Sequence, residues 1–169
     1  MDYNSTWNDE LNTAAKEGDL QTIKQIGEYA DVAVGGSYAL QLAARANHFA
    51  VVAYLLQFSS RTETTAALLE AIDFEHIEMV RFLLPQSLPK LNKSEALRYA
   101  VASENQTIID MVFRKSNPQA ALQAIFNQDG ASDQYYRLEH LMQQRDAVKI
   151  NTKLHSEIAK KRSVRARKL

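Results

Sequence analysis

The sequence predicts an all-α protein built as an α-solenoid, which is a row of stacked antiparallel helix pairs. The first reason is a repeat: NHFAVVAYLL (Asn47–Leu56) and EHIEMVRFLL (Glu75–Leu84) share one pattern at an interval of 28 residues. The second is composition, because 5 Gly and 3 Pro in 169 residues leave few helix breakers. A single helix pair cannot bury its own apolar face, but stacked pairs can, so repeated pairs predict a solenoid.

Four copies of the pattern follow one another, with a weaker fifth. The four are LNTAAKEGDLQTIKQI, LQLAARANHFAVVAYLL, LLEAIDFEHIEMVRFLL and LRYAVASENQTIIDMVF, and the fifth combines ALQAIF with YYRLEHLM. Copies two to four align on Leu40, Leu68 and Leu97 and on Ala43, Ala71 and Ala100. We therefore expect a repeat domain at residues 1–145 and a basic helix or tail at 146–169. The predicted repeats lie at about residues 8–36, 37–64, 65–93, 94–116 and 117–145.

Each copy is typical of two short helices. In copy two, Leu40 and Ala43 begin an apolar stripe at helical spacing, Asn47 and His48 interrupt it, and Phe49 restarts it. The repeated alanine allows the paired helices to approach closely.

Boundary signals agree with this division. Asn117-Pro118 predicts the start of a helix, and Pro85 predicts the end of another. The segment DVAVGGS (Asp31–Ser37), which contains VGGS, predicts a turn between copies one and two.

Copy two resembles the ankyrin repeat over YALQLAARANHFAVVAYLL (Tyr38–Leu56). The family pattern opens T-P-L-H-x-A, continues A-x-x-G-H and ends V-V-x-L-L-L. YADV (Tyr29–Val32) is similar to the G-A-D-V that starts the β-turn finger of the family. An interval of 28 or 29 residues, against about 33 in the family, predicts short or missing fingers. The resemblance covers about residues 11–142; a tetratricopeptide array is the alternative, but its W-x₂-L-G-x₂-Y core is absent.

The resemblance implies a non-catalytic adaptor that binds a protein partner on its concave side, through the finger tips and the exposed face of each first helix. The candidate partner-binding residues are Tyr38, Gln41, Arg45, Leu69, Asp73, Phe74, Arg98 and Ser103. Phe74 is either an exposed anchor for the partner or a packing residue between neighbouring copies. A regulatory subunit that needs its partner for stability is a further alternative.

No motif for catalysis, nucleotides or metals is present in the sequence. There is no cysteine, no Walker loop, no G-x-S-x-G and no H-E-x-x-H. His48 and His76 occupy the same turn position in two copies, where an imidazole can bond backbone groups that the helix ends leave free. We therefore expect no enzyme activity, no cofactor and no metal, unless residues from distant repeats converge.

The charge is divided between body and tail. Residues 1–145 hold 12 Lys and Arg against 18 Asp and Glu, whereas residues 146–169 hold 8 against 2. The basic residues at the end of the chain are Lys160, Lys161, Arg162, Arg165, Arg167 and Lys168. They indicate either a solvated helix end, a nuclear address, or attraction to nucleic acid or anionic lipid. The apolar residues between Leu138 and Ile158 can cap the last repeat, dock on a partner or form a separate helix.

Location follows from what the sequence lacks. No apolar run approaches the roughly 18 residues of a membrane-spanning helix, and the polar start is unlike a signal peptide. We expect a cytoplasmic protein. One alternative is the nucleus. Another is a host cell, as for a possible effector, because degenerate ankyrin repeats are common in intracellular bacteria and large DNA viruses.

Overall fold

The computed structural model describes residues 3–29 and 32–166, and this part of the chain contains ten α-helices and no strand. The helices are α1 (Tyr3–Glu17), α2 (Leu20–Tyr29), α3 (Val32–Arg45), α4 (Phe49–Leu55), α5 (Arg61–Asp73), α6 (Ile77–Leu83), α7 (Leu91–Ala102), α8 (Gln106–Phe113), α9 (Pro118–Asp129) and α10 (Asp133–Ala166). Short 3₁₀ turns, Leu56–Phe58 and Leu84–Gln86, follow α4 and α6. The chain divides into two compact units, residues 1–121 and 122–169.

The first unit is a stack of helix pairs. The pairs α1–α2, α3–α4, α5–α6 and α7–α8 each pack together, and the first helices α1, α3, α5 and α7 pack in a row. The second helices also touch, α2 against α4 and α6 against α8. The prediction of an all-α repeat solenoid is confirmed.

The aligned leucines and alanines form the core of this stack. All six of the aligned side chains, Leu40, Leu68, Leu97, Ala43, Ala71 and Ala100, are fully buried. Burying one leucine side chain stabilises the fold by about 1.5–3 kcal/mol, and each alanine leaves room for the next helix. The same residue type recurs because the same packing site recurs in every copy.

The turn inside each pair depends on one residue in the left-handed region. These residues are Gly18, Asn47, Glu75 and Glu104, with φ of 81°, 63°, 54° and 60°. The chain then turns back, and the amide of His76 donates to the carbonyl of Ala71 at 2.9 Å, as in a Schellman cap. Asn tolerates this conformation better than most side chains, whereas the two glutamates hold it at a cost of about 1 kcal/mol each.

Side-chain caps fix where several helices begin. Ser60 and Glu63 form a reciprocal capping box at the start of α5: Ser60 Oγ accepts from the Glu63 amide at 3.3 Å, and Glu63 Oε2 accepts from the Ser60 amide at 2.7 Å. The amide and hydroxyl of Ser60 hold the pKa of the Glu63 carboxyl below its ordinary value. Asn117 accepts from the Ala120 amide at 3.2 Å at the start of α9, as the sequence predicts.

Hydroxyl groups hold the short links between copies. Thr65 Oγ1 accepts from the amide of Leu88 at 2.8 Å, and Ser94 Oγ accepts from the amide of Asn117 at 2.7 Å. Both bonds span 23 residues, and Thr65 and Ser94 occupy equivalent positions in successive copies. Both side chains are buried, so these hydrogen bonds also satisfy polar groups inside the stack. No strand forms in the described residues, and in these two links a hydroxyl from the first helix of a copy holds the segment that leads into the next copy.

The predicted turn at residues 31–37 was wrong, because α3 begins at Val32 and includes VGGS. A glycine costs a helix only about 1 kcal/mol relative to alanine. Gly36 is buried, and α3 packs against both α1 and α5, which outweighs that cost. Of the predicted finger start, Ala30 and Asp31 lie outside the described residues.

The second unit contains the long helix α10. Near its start Tyr135 contacts Phe126, with 5.6 Å between ring centroids, and Leu138 is fully buried. From Asp146 to Glu157 every side chain is exposed. The predicted boundary between residues 145 and 146 therefore falls inside a continuous helix, and a separate role for residues 146–169 stays a prediction.

Candidate functional site

Two histidines fasten one copy to the preceding copy. The ring Nε2 of His48 lies 3.0 Å from the carbonyl oxygen of Lys16, and that of His76 lies 2.8 Å from the carbonyl oxygen of Arg45. A carbonyl can only accept, so Nε2 carries the proton in both rings. Lys16 and Arg45 lie at the carboxyl ends of α1 and α3, where carbonyls lack a partner in their own helix. The structural role expected of both histidines is confirmed.

Gly18 is required by both the backbone and the His48 ring. A Cβ at this position would lie 2.7 Å from His48 Nδ1, too close for any side chain. The φ of 81° adds a second reason. These contacts fix how the first two copies stack, and with them the relative placement of α1 and α3.

The rigid stack presents what we call the first-helix face, the solvent-facing side chains of α3, α5 and α7. Among the predicted partner-binding residues, Tyr38, Arg45, Asp73 and Phe74 are exposed, while Gln41, Leu69, Arg98 and Ser103 are half-buried. Tyr38 is 57% exposed and Phe74 is 41% exposed, which leaves two aromatic rings available to a partner.

Arg45 and Phe74 join the first-helix face across two copies. The guanidinium carbon of Arg45 lies 4.5 Å from the centroid of the Phe74 ring, a cation–π contact. Because the carbonyl of Arg45 also accepts from His76, its backbone and its side chain both contact the next copy. One side of the Phe74 ring therefore packs on Arg45 of the neighbouring copy, and part of the ring remains exposed, so its role as an anchor for a partner stays a prediction.

Three of the predicted residues have partners close in sequence. Gln41 Nε2 donates to the carbonyl of Ser37 at 3.2 Å, and Ser103 Oγ donates to the carbonyl of Ala100 at 2.9 Å. Arg98 forms an ion pair with Glu95, at 3.7 Å. Any partner that uses these groups must rearrange bonds that stabilise their own helices, so Arg45 and Phe74 are the stronger candidates.

The comparison with protein families agrees with this geometry. The family model described as ankyrin repeats (3 copies) matches residues 11–95, which is half of the chain and includes the helices from α2 to α6 and the end of α1. The chain belongs to the ankyrin-repeat family. A search of curated proteins finds no significant match. Ankyrin repeats are generally protein–protein interaction modules.

Sequence reasoning missed exposed aromatic residues on both faces of this ankyrin stack. Tyr99 on the first-helix face is 39% exposed. On the second helices, Phe49, Phe58 and Phe82 are 39%, 44% and 36% exposed. The signal in the sequence is FAVVAYLLQF, ten residues from Phe49 to Phe58 that contain no charge.

In the described part of this ankyrin-repeat chain, no three His, Asp or Glu side chains lie close enough together to hold a metal ion. Nor does any described helix combine the length and the apolar character needed to cross a membrane.

The predicted basic tail is only partly described. The backbone of Lys160, Lys161, Arg162 and Arg165 belongs to α10, and their side chains lie outside the described part of the structure. Arg167 and Lys168 lie outside the described residues altogether. On the exposed portion of α10 before them, Val148, Ile150 and Leu154 are each more than half exposed.

Proposed function

We propose that this ankyrin-repeat chain is a non-catalytic adaptor that binds a protein partner on its first-helix face. The observation that carries the proposal is a contrast between positions. The packing leucines and alanines repeat and are fully buried, whereas neighbouring positions that are exposed or half-buried change their chemistry from copy to copy. One such position holds Gln41, Leu69 and Arg98, and another holds Arg45, Asp73 and Ala102.

The proposed mechanism is presentation of a rigid surface. The histidine bonds and the hydroxyl links between copies hold the helices before a partner arrives, so binding orders few additional residues. Aromatic and arginine side chains contribute most to protein interfaces, and Arg45 stacked on Phe74 supplies one of each. We place this pair at the centre of the binding surface.

The test compares capture of partners by four forms of the chain. These are the wild type, Phe74→Ala, Phe58→Ala, and a chain that ends at Asp146. Phe58 is the matched control, because it is about as exposed as Phe74 but belongs to the second-helix side. Quantitative mass spectrometry identifies the partner, and calorimetry then measures its affinity for each form.

We expect Phe74→Ala to weaken binding by roughly tenfold or more, the loss of one interface anchor, while Phe58→Ala and the shortened chain retain it. Equal affinity of the Phe74 and Phe58 variants would contradict a site on the first-helix face. Loss of capture only in the shortened chain would transfer the function to the tail.

The strong segregation of charge favours a second candidate, an adaptor for nucleic acid or anionic membrane through residues 146–169. Six of the last ten residues are Lys or Arg, with no acidic residue among them. Binding of a DNA duplex and of phosphatidylserine vesicles, measured with and without the segment beyond Asp146, tests this candidate. Binding by the tail must weaken steeply with salt. We propose a location inside a cell, with which the lack of cysteine is compatible, since reducing compartments rarely use disulfides.

A further inference from the structure

The second helices carry an uncharged surface that the proposed function does not use. We call it the aromatic patch, and it consists of Phe49, Ala50, Ala53, Tyr54, Phe58 and Phe82. Its side chains lie on α4, the turn after α4, and α6, and only Tyr54 is half-buried while the others are exposed. The helix α4 is apolar on its outward face as well as its inward face, and a helix that is apolar all round is ordinarily covered.

The rings of the aromatic patch are already in contact. The centroids of Phe49 and Phe82 are 5.9 Å apart, and those of Tyr54 and Phe58 are 5.4 Å apart. Ala50 and Ala53 are exposed on the same helix as Phe49 and Tyr54, so small apolar side chains accompany the rings on α4. Such a surface can accept rings of another molecule edge to face.

The size of the aromatic patch fits the core of a small interface. An exposed Phe presents roughly 200 Å², so the three phenylalanines together offer roughly 240 Å² and the whole patch roughly 300–400 Å². A stable interface buries about 800 Å² on each partner. The apolar core makes up part of this area, and a polar rim makes up the rest. The polar side chains on α2 and α6 beside the patch provide that rim.

Charges of both signs lie beside the aromatic patch. On the α2 side Lys24 lies over the Tyr54 ring at 5.9 Å, and Glu28 is exposed one turn farther along. On the α6 side Arg81 and Glu78 form an exposed ion pair at 3.3 Å. The repeat domain as a whole is acidic, with 12 Lys and Arg against 18 Asp and Glu in residues 1–145. Two copies can therefore bring this surface together without the repulsion that their net charge produces elsewhere.

We infer that the aromatic patch is a self-association surface, through which two copies of this chain meet around a two-fold axis. An uncharged patch bordered by charges of both signs is suited to face itself, which is the requirement of an isologous dimer. A two-fold axis parallel to α4 would set α2 of one copy against α6 of the other, so each rim would meet both signs of charge. The small area implies a weak dimer, with a dissociation constant on the order of 10 µM.

Sedimentation equilibrium of the full chain from about 1 to 200 µM, which brackets that constant, tests the inference. Ala53→Glu places a carboxylate within the aromatic patch, while Ala147→Glu makes the same change at an exposed site on α10. Phe82→Gln is a second variant, and circular dichroism verifies that every form is folded. Each measurement is made in low and in high salt.

We expect the wild type and Ala147→Glu to dimerise alike, with little dependence on salt, and Ala53→Glu and Phe82→Gln to weaken dimerisation at least tenfold. Four results would overturn the inference. A wild type that stays monomeric leaves the patch to a different protein. Dimerisation that survives Ala53→Glu places the contact elsewhere, and loss only in Ala147→Glu places it on α10. Association abolished by salt indicates pairing of opposite charges rather than apolar contact.

Discussion

Replacing His76 with alanine should destabilise the repeat domain by about 2 kcal/mol. The hydrogen bond from Nε2 to the Arg45 carbonyl contributes about 1 kcal/mol net. Water can reach that carbonyl in the variant, since Arg45 is exposed, so no larger penalty for an unpaired buried group applies. The half-buried ring, which also lies 6.2 Å from the Phe74 ring, adds packing of about 1 kcal/mol.

Urea unfolding followed by circular dichroism measures this loss, and the melting temperature should fall by roughly 4–8 °C. The matched control is His140→Ala, because His140 is exposed on α10. We expect that control to remain within about 0.5 kcal/mol of the wild type, as is usual for surface changes. If His76→Ala were no less stable than His140→Ala, the bridging hydrogen bond would contribute nothing to stacking, and our account of the rigid surface would fail.

Three further changes test the fold. Gly18→Ala should lower the stability by at least about 2 kcal/mol, because the added Cβ meets the His48 ring. Gly130→Ala should cost only about 1 kcal/mol, since that glycine also has positive φ but open space around it. Equal losses in chemical denaturation would rule out the steric clash with His48. Ala71→Leu should cost about 1–3 kcal/mol by overpacking, and a neutral effect would contradict close approach of the helices. Because the pKa of Glu63 is lowered on folding, its contribution to the free energy of unfolding should be complete at pH 7 and disappear as the pH falls below about 4. Glu63→Gln should therefore make the stability less dependent on pH in this range. An unchanged dependence would exclude the capping box as its cause.

The sequence predicted the features that depend on local pattern. The buried alanines recur at the same place in each copy, and the apolar residues within a copy follow helical spacing. The sequence alone therefore predicts a repeat of helix pairs. The sequence also predicted that His48 and His76 lie at the turns between paired helices and that each ring bonds a backbone group there. The start of α9 at Asn117 and the end of α6 before Pro85 were also predictable, because each boundary depends on residues within one helical turn of it.

The candidate site was predictable only as a row of positions. The contact of Arg45 with the Phe74 ring could not be predicted, because the two residues belong to different copies. Arg98 stands in the same row, yet it is half-buried beside Glu95. Stacking distance and side-chain direction decide these differences, and neither is encoded by the spacing of apolar residues.

The sequence alone predicted the all-α repeat, its period and its packing residues, because helical spacing and turn chemistry depend on a few neighbouring residues. Tertiary structure decided which carbonyl each histidine binds, why α3 retains two glycines, and that the outward face of α4 is a patch of touching rings. Those outcomes depend on contacts between residues about 30 positions apart, where the free energy of packing one copy on the next outweighs the local preference of any single residue.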